Sequence, residues 1–209
     1  MPDFALEMEV PGPVAGIDEV GRGPLAGPVL AAAVILKPED FPKHLHGEVR
    51  DSKTLSAGKR EAVLKALLPI SRIGIGAASV REIDRLNILN ATFLAMARAV
   101  QALQLEPALA LVDGNRAPAL ACPVRTVVGG EMVSLSIAAA SIVAKVTRDR
   151  LMVRLGRRHP GYGWERNAGY GTAAHREALL SLGVTPHHRL SFRPIPQILS
   201  HGADSDLTY

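Results

Sequence analysis

The 209-residue chain has a single cysteine, Cys122, which excludes an intramolecular disulfide and a cysteine-based zinc cluster and suits a reducing compartment. Aromatic residues make up only 4% of it, too few for a surface that stacks the bases of a single strand. Long apolar runs are missing as well. The longest, Val29–Leu36, falls far short of the roughly 20 residues that cross a bilayer, so no membrane association is expected. The first ten residues, MPDFALEMEV, are acidic and have no basic segment, unlike a signal peptide. Internal repeats, low-complexity tracts and a phosphate loop ending in Gly-Lys-Ser/Thr are absent too. Together these absences predict a cytoplasmic globular protein.

What is present is ordinary in bulk: 47% hydrophobic, 21% charged, formal net charge +4. The charge is unevenly placed. Residues 1–140 carry 14 Lys/Arg against 15 Asp/Glu, whereas residues 141–209 carry 10 against 5. A basic last third suits a polyanionic partner, and it equally suits a solvated helix face.

The pattern of apolar residues predicts an α/β protein. Pro13–Ile17 reads as a strand that ends on Asp18 and Glu19, and Val29–Leu36 as a buried strand, the two forming an antiparallel hairpin around the Gly/Pro turn Gly21–Pro28. Further strands are expected at Ser71–Val80, Ala108–Val112 and Val124–Val128. Helices are expected after the N-cap Ser56, over Asp84–Leu103, over Ser134–Arg158 and over Ala173–Leu182, with Gly161–Gly171 as a glycine-rich loop. The long helix has a small-residue face (Ala138, Ser141, Ala144) and basic later turns beginning at Lys145. A single domain is expected, with a core over about 14–160, a helical segment over about 161–193 and a loosely patterned tail, 194–209.

The informative residues are acids at strand ends: Asp18 and Glu19, Asp113, and Glu131 after two glycines. Converging carboxylates repel unless a cation joins them. Two divalent ions about 4 Å apart repel by roughly 16 kcal/mol at an effective dielectric near 20, so they need several carboxylates and a phosphate between them. All-oxygen ligation suits Mg²⁺ or Mn²⁺. An acid after a strand also serves as a turn former or helix cap, and spacing alone does not choose. Gly21-Arg-Gly23-Pro-Leu-Ala26 has the letters of a dinucleotide fingerprint, but a strand rather than a helix follows it.

The segment Ala15-Gly-Ile-Asp-Glu-Val-Gly-Arg-Gly-Pro-Leu-Ala-Gly-Pro28 resembles the opening motif of the ribonuclease HII family. Asp51-Ser-Lys53-Thr-Leu, Val112-Asp-Gly114, the run from Ala139 to Asp149, Gly169-Tyr-Gly-Thr172 and His187-His-Arg-Leu-Ser-Phe192 follow in the family's order. The Gly21-Arg-Gly23 form, and the mere 14 residues before the motif, separate it from the sister family ribonuclease HIII.

The resemblance implies a ribonuclease H-like fold with a five-stranded mixed sheet flanked by helices. It implies an endonuclease acting on RNA–DNA hybrids and on duplex DNA containing ribonucleotides, nicking 5′ of the ribonucleotide with two divalent ions. Asp18, Glu19, Asp113 and Glu131 would be the catalytic metal ligands. Gly21, Arg22 and Gly23 would meet the 2′-hydroxyl, Tyr170 would pack on the sugar, and Lys53, Lys145 and the arginines after it would neutralise phosphates. Tyr170 as a plain packing residue, and Arg148 and Arg150 as solvated helix residues, stay open.

Two departures stand out. Glu131 replaces the family's usual aspartate, which predicts an adjusted metal site, and Asn167-Ala168 replaces a His-Lys pair, which predicts fewer cationic contacts. A monomer is expected, and the tail from Pro194 shows no clear clamp-binding peptide, so no protein partner is indicated. The competing reading is a non-catalytic hybrid-binding protein, which has no need of clustered acids beside a phosphate backbone.

Overall fold

A computed structural model describes the backbone of residues 1–49, 52 and 54–205, with side chains through residue 200. Lys53 lies outside the described residues. The chain divides into two compact units. The first comprises Met1–Val20, Leu30–Ala77 and Thr92–Thr147; the second comprises Gly21–Val29, Ala78–Ala91 and the chain from Arg148 onward.

The first unit is built on a five-stranded sheet: β1 (Val14–Val20), β2 (Val29–Leu36), β3 (Ser71–Ala78), β4 (Leu109–Asp113) and β5 (Val124–Val127), in the order β3-β2-β1-β4-β5. β1 runs antiparallel to β2 and parallel to β4, and β4 runs parallel to β5, so the sheet is mixed as expected. One boundary differs in a way that matters. β1 does not stop at Ile17 but continues through Asp18 and Glu19, because β2 offers partners for both, Asp18 opposite Ala32 and Glu19 opposite Ala31. The two acids are strand residues, held by ladder pairing rather than by a turn.

β2 is buried along its whole length, as its unbroken apolar sequence requires of a strand covered on both faces. Its Ala32, Val34 and Leu36 join Val63, Leu64 and Leu67 of α1 (Ala57–Leu67) and Ile142, Val143 and Val146 of α3 (Leu135–Arg158) in one apolar cluster. Ser56 caps α1, accepting the N–H of Lys59 at 3.3 Å. Gly16 decides how closely α3 lies on the sheet. A Cβ at Gly16 would fall 2.1 Å from the carbonyl carbon of Ser136, so only glycine lets this helix approach β1 at that point.

α2 (Val80–Ala102) starts earlier than the expected Asp84 and is broken at Asn87, whose φ is 67°. The early start has a local cause. Ser79 and Glu82 form a reciprocal cap, with the Ser79 N–H donating to Glu82 Oε2 at 2.8 Å and the Glu82 N–H donating to Ser79 Oγ at 3.3 Å. Asn87 then begins the second helical stretch by accepting the N–H groups of Leu89 and Asn90 at 3.0 and 3.1 Å.

The second unit has its own core of Leu25, Met152, Tyr162, Trp164, Leu179 and Ile195. Within the expected glycine-rich loop a short helix forms, α4 (Trp164–Asn167), with Trp164 fully buried beneath it. α5 (Ala173–Leu182) follows, capped by Thr172, whose hydroxyl accepts the His175 N–H. A last helix, α6, covers Ile195–Ser205.

Candidate active site

The carboxylates belong to the first unit, and strand register brings two of them side by side. β1 and β4 pair in parallel through Ile17 and Val112, so the next residue on each strand, Asp18 and Asp113, stands level with the other. Neighbouring strands lie about 4.8 Å apart, and side chains level in a parallel pair point to the same face. That face also carries Gly16, two residues back from Asp18, and is the one on which α3 rests.

The backbone orients both acids. Asp18 Oδ1 accepts the N–H of Glu19 at 2.7 Å, and Asp113 Oδ1 accepts the N–H of Gly130 at 2.7 Å. Gly130 opens a 3-10 turn, Gly130–Met132, entered through the left-handed Gly129. This turn places Glu131, largely buried, over the site, where its Oε2 accepts the Ser141 hydroxyl at 3.0 Å. Ser141 also meets Asp18 and lies 2.8 Å from the Ser52 hydroxyl. One serine of α3 therefore joins Asp18 to Glu131. Its role does not follow from the small-residue face on which the sequence places it.

The electrostatics of the site centre on Asp18. The Asp18 carboxyl is pushed up to about 8, first by burial, then by the neighbouring charges of Glu19 and Asp113, against the lowering effect of the Ser141 hydroxyl. Ser141 has one proton for two carboxylates. When it serves Glu131, Asp18 depends on a proton of its own or on a cation. A hard divalent cation fits this all-oxygen donor set. Among the described residues, no three Asp, Glu, His or Cys side chains already form a group able to hold an ion. Lys145, half-buried, is one helical turn past Ser141 on α3 and shares its face.

The second unit holds the glycine motif and Tyr170. Gly21 has φ 91°, and a Cβ there would fall 2.1 Å from Arg148 Nε, so the position requires glycine twice over. Arg22 and Gly23 are exposed, and a Cβ at Gly23 would come to 3.6 Å from the Tyr170 ring. The Leu25 N–H donates to the Gly169 carbonyl at 2.8 Å, which ties the glycine motif to the tyrosine loop. The Tyr170 side chain is 47% exposed, so it is not a core packing residue.

Two arginines differ from expectation. Arg148 is neither a solvated helix residue nor free for phosphate: it is 1% exposed and donates to the carbonyls of Ala168, Pro28 and Ala26 at 2.9, 3.2 and 3.2 Å. Arg189, which sequence reasoning did not single out, is wholly buried and donates to Arg22 O at 2.8 Å, to Gly27 O at 2.9 Å and to Gly21 O. Burial depresses both guanidinium groups, Arg189 to about 9, yet both stay cationic at neutral pH. Their task is to hold the carbonyls of the glycine motif in place. Asn167 is also engaged with the backbone. It donates to Tyr162 O at 2.7 Å and accepts the Gly169 N–H at 2.9 Å, bracing the loop before Tyr170.

Solved structures share this architecture. The ribonuclease HII of Archaeoglobus fulgidus, solved in complex with PCNA, is 27% identical with a TM-score of 0.70, over 87% of this chain and 95% of its own. The Mn²⁺ complex of Bst-RNase HIII superposes with a TM-score of 0.75 at 20% identity, over 92% of this chain and 70% of that one. The five-stranded mixed sheet with acids on its central strands is thus a ribonuclease H-like fold.

The profile of the ribonuclease HII family matches residues 15–195. The ribonuclease HII of Paramagnetospirillum magneticum is 63% identical over 199 residues, 95% of this chain and 99% of its own length. That of Granulibacter bethesdensis is 63% identical over 202 residues, 96% and 92% of the two chains. The chain belongs to the ribonuclease HII family. It is accordingly a ribonuclease H, an endonuclease of RNA–DNA hybrids.

Proposed function

We propose that Asp18, Glu19, Asp113 and Glu131 hold two divalent ions, Mg²⁺ or Mn²⁺, and that the enzyme nicks duplex DNA on the 5′ side of an embedded ribonucleotide as well as cutting hybrids. The observation that carries this reading is the level placement of Asp18 and Asp113 on parallel strands, joined to Glu131 through Ser141. Held by these four carboxylates, such ions would supply Lewis-acid activation of water and charge stabilisation at the leaving oxygen, consistent with 5′-phosphate and 3′-hydroxyl ends.

The protein's own work is positioning. Ser141 keeps Glu131 turned toward Asp18, and the Gly130 N–H fixes the rotamer of Asp113. Lys145 offsets phosphate charge. In the second unit, the exposed residues Arg22 and Gly23 meet the ribose 2′-hydroxyl, which both donates and accepts, and the Tyr170 ring covers the sugar. The buried Arg148 and Arg189 hold that backbone rigid for the contact.

A duplex DNA carrying one ribonucleotide tests the reading. With Mg²⁺ or Mn²⁺, a single nick on its 5′ side is expected, and none with chelator. Binding without nicking under every metal condition overturns the reading for embedded ribonucleotides.

A further inference from the structure

The second unit contains two buried histidines that the carboxylate chemistry does not use, His175 and His188, and their partners fix every ring proton. At one end, the Thr185 N–H donates to His188 Nδ1 at 2.9 Å, and the Thr185 hydroxyl lies 2.9 Å from the same atom. A backbone N–H only donates, so His188 Nδ1 is bare and its proton is on Nε2. At the other end, His175 Nδ1 lies 2.9 Å from the Tyr170 carbonyl. A carbonyl only accepts, so the His175 proton is on Nδ1 and its Nε2 is bare.

That bare nitrogen accepts the Trp164 indole N–H at 3.0 Å and faces His188 Nε2 at 3.1 Å. The two ends, argued separately, require the same bond between the rings: His188 Nε2–H donating to His175 Nε2. The one lone pair of His175 Nε2 is shared by the Trp164 and His188 donors, and no other pair of neutral tautomers is compatible with both the Thr185 N–H and the Tyr170 carbonyl. Burial lowers both imidazoles, His188 to about 4, which keeps the pair neutral at working pH.

We propose that the Thr185–His188–His175 chain is a positioning device for Tyr170, delivering one directed donor to the carbonyl of the residue that covers the sugar. It rests on the reading of Tyr170 as a substrate contact. The Thr172 N–H gives the same carbonyl a second donor at 2.8 Å, and the Tyr170 N–H is held by Asn167 O at 2.9 Å. Both peptide groups of Tyr170 are thereby fixed while its ring stays exposed beside Gly23. His175 is thus a positioning residue. A misplacement of about 1 Å at a reacting centre costs on the order of 100-fold in rate, so such bracing has a purpose.

Two isosteric variants separate positioning from packing. His175→Asn places an amide N–H where Nδ1–H was and keeps the donor to Tyr170, giving up the acceptor for Trp164. His175→Gln reaches the Nε2 position instead and gives up the donor to Tyr170. On duplex DNA with one ribonucleotide, His175→Gln is expected to lose about 10-fold or more in kcat, and His175→Asn less than about 3-fold, whatever the order of their melting temperatures. Equal losses that track melting temperature, or a larger loss in the Asn variant, overturn the proposal.

Tyr170→Ala is measured alongside. Wild-type kcat in that variant overturns the Tyr170 reading and with it the purpose of the chain, whereas an impaired Tyr170→Ala beside an unaffected His175→Gln overturns the chain alone. Imidazole ¹⁵N NMR between pH 6 and 7 is expected to show protons on His175 Nδ1 and His188 Nε2. The opposite tautomers, or a doubly protonated ring, overturn the assignment.

Discussion

Asp18 and Asp113 stand level on adjacent parallel strands, each one residue beyond the paired Ile17 and Val112. Pairing holds the two carboxylates on one face of the sheet, and α3 closes over that face because Gly16 allows it to. Burial and the neighbouring acids therefore raise the Asp18 carboxyl in a partly closed site, and this has measurable consequences.

In chelator, Asp18→Asn should stabilise the protein, increasingly so as pH rises. The Asp18 carboxyl is at about 8 in the fold and near 3.8 in the open chain, so the folded state holds the extra proton between those values. Stability from this group is full below about 3.8 and is lost as pH climbs through 8. Thermal melts from pH 5 to 9 should show the melting temperature of the variant exceeding wild type by a margin that widens to several degrees. Parallel curves contradict the charge assignment.

Glu131→Gln should lose most Mg²⁺-dependent cleavage, and Ser141→Ala should raise the Mg²⁺ concentration needed for half-maximal rate. The serine variant removes the Ser141 hydrogen bond to Glu131 Oε2 and its contact with the Ser52 hydroxyl, a cost of about 1–2 kcal/mol in stability. Rate against Mg²⁺ for both variants checks this. Near wild-type turnover in Glu131→Gln removes that residue from the site.

Gly21→Ala should impair folding of the second unit as well as activity. Its Cβ would meet the Arg148 guanidinium, and its φ of 91° is costly for alanine, so a loss of about 2–4 kcal/mol is expected by denaturant unfolding. Gly23→Ala, whose nearest neighbour would be the Tyr170 ring at 3.6 Å, should fold normally and lose affinity for the ribonucleotide junction. Similar stabilities of the two variants contradict the geometry.

Acid should destabilise the fold through His188. Its imidazole titrates at about 4 when folded and near 6.5 when unfolded, so the unfolded chain binds the extra proton between those values. Its contribution is full above about 6.5 and is lost as pH falls toward 4. Melts between pH 7 and 4.5 should fall more steeply for wild type than for His188→Asn, which keeps an acceptor for the Thr185 N–H; equal slopes contradict the neutral assignment.

The acids and the glycine motif were legible because they sit in short ordered motifs, and most of the sheet because β2, β4 and β5 are largely apolar runs and β1, β4 and β5 lie just before glycines. β1 was read too short because a carboxylate in sequence looks like a strand end, whereas β2 supplies backbone partners through Val20. The Ser79–Glu82 cap was present in the letters but overshadowed by the preceding apolar strand. Arg148 and Arg189 were not legible as buried braces, since arginine is solvated by default and the carbonyls they satisfy are distant in sequence. The part played by Ser141 depends on how closely α3 approaches β1, which only packing decides.

The most direct test of the account is the rate of RNA-strand cleavage in an RNA–DNA hybrid against Mg²⁺ concentration, for wild type and Asp18→Asn. Asp18→Asn should remain folded and be slower by on the order of 1,000-fold at every Mg²⁺ concentration, since removing a metal ligand forfeits several kcal/mol of transition-state stabilisation. A folded Asp18→Asn within about threefold of wild type would contradict the carboxylate site.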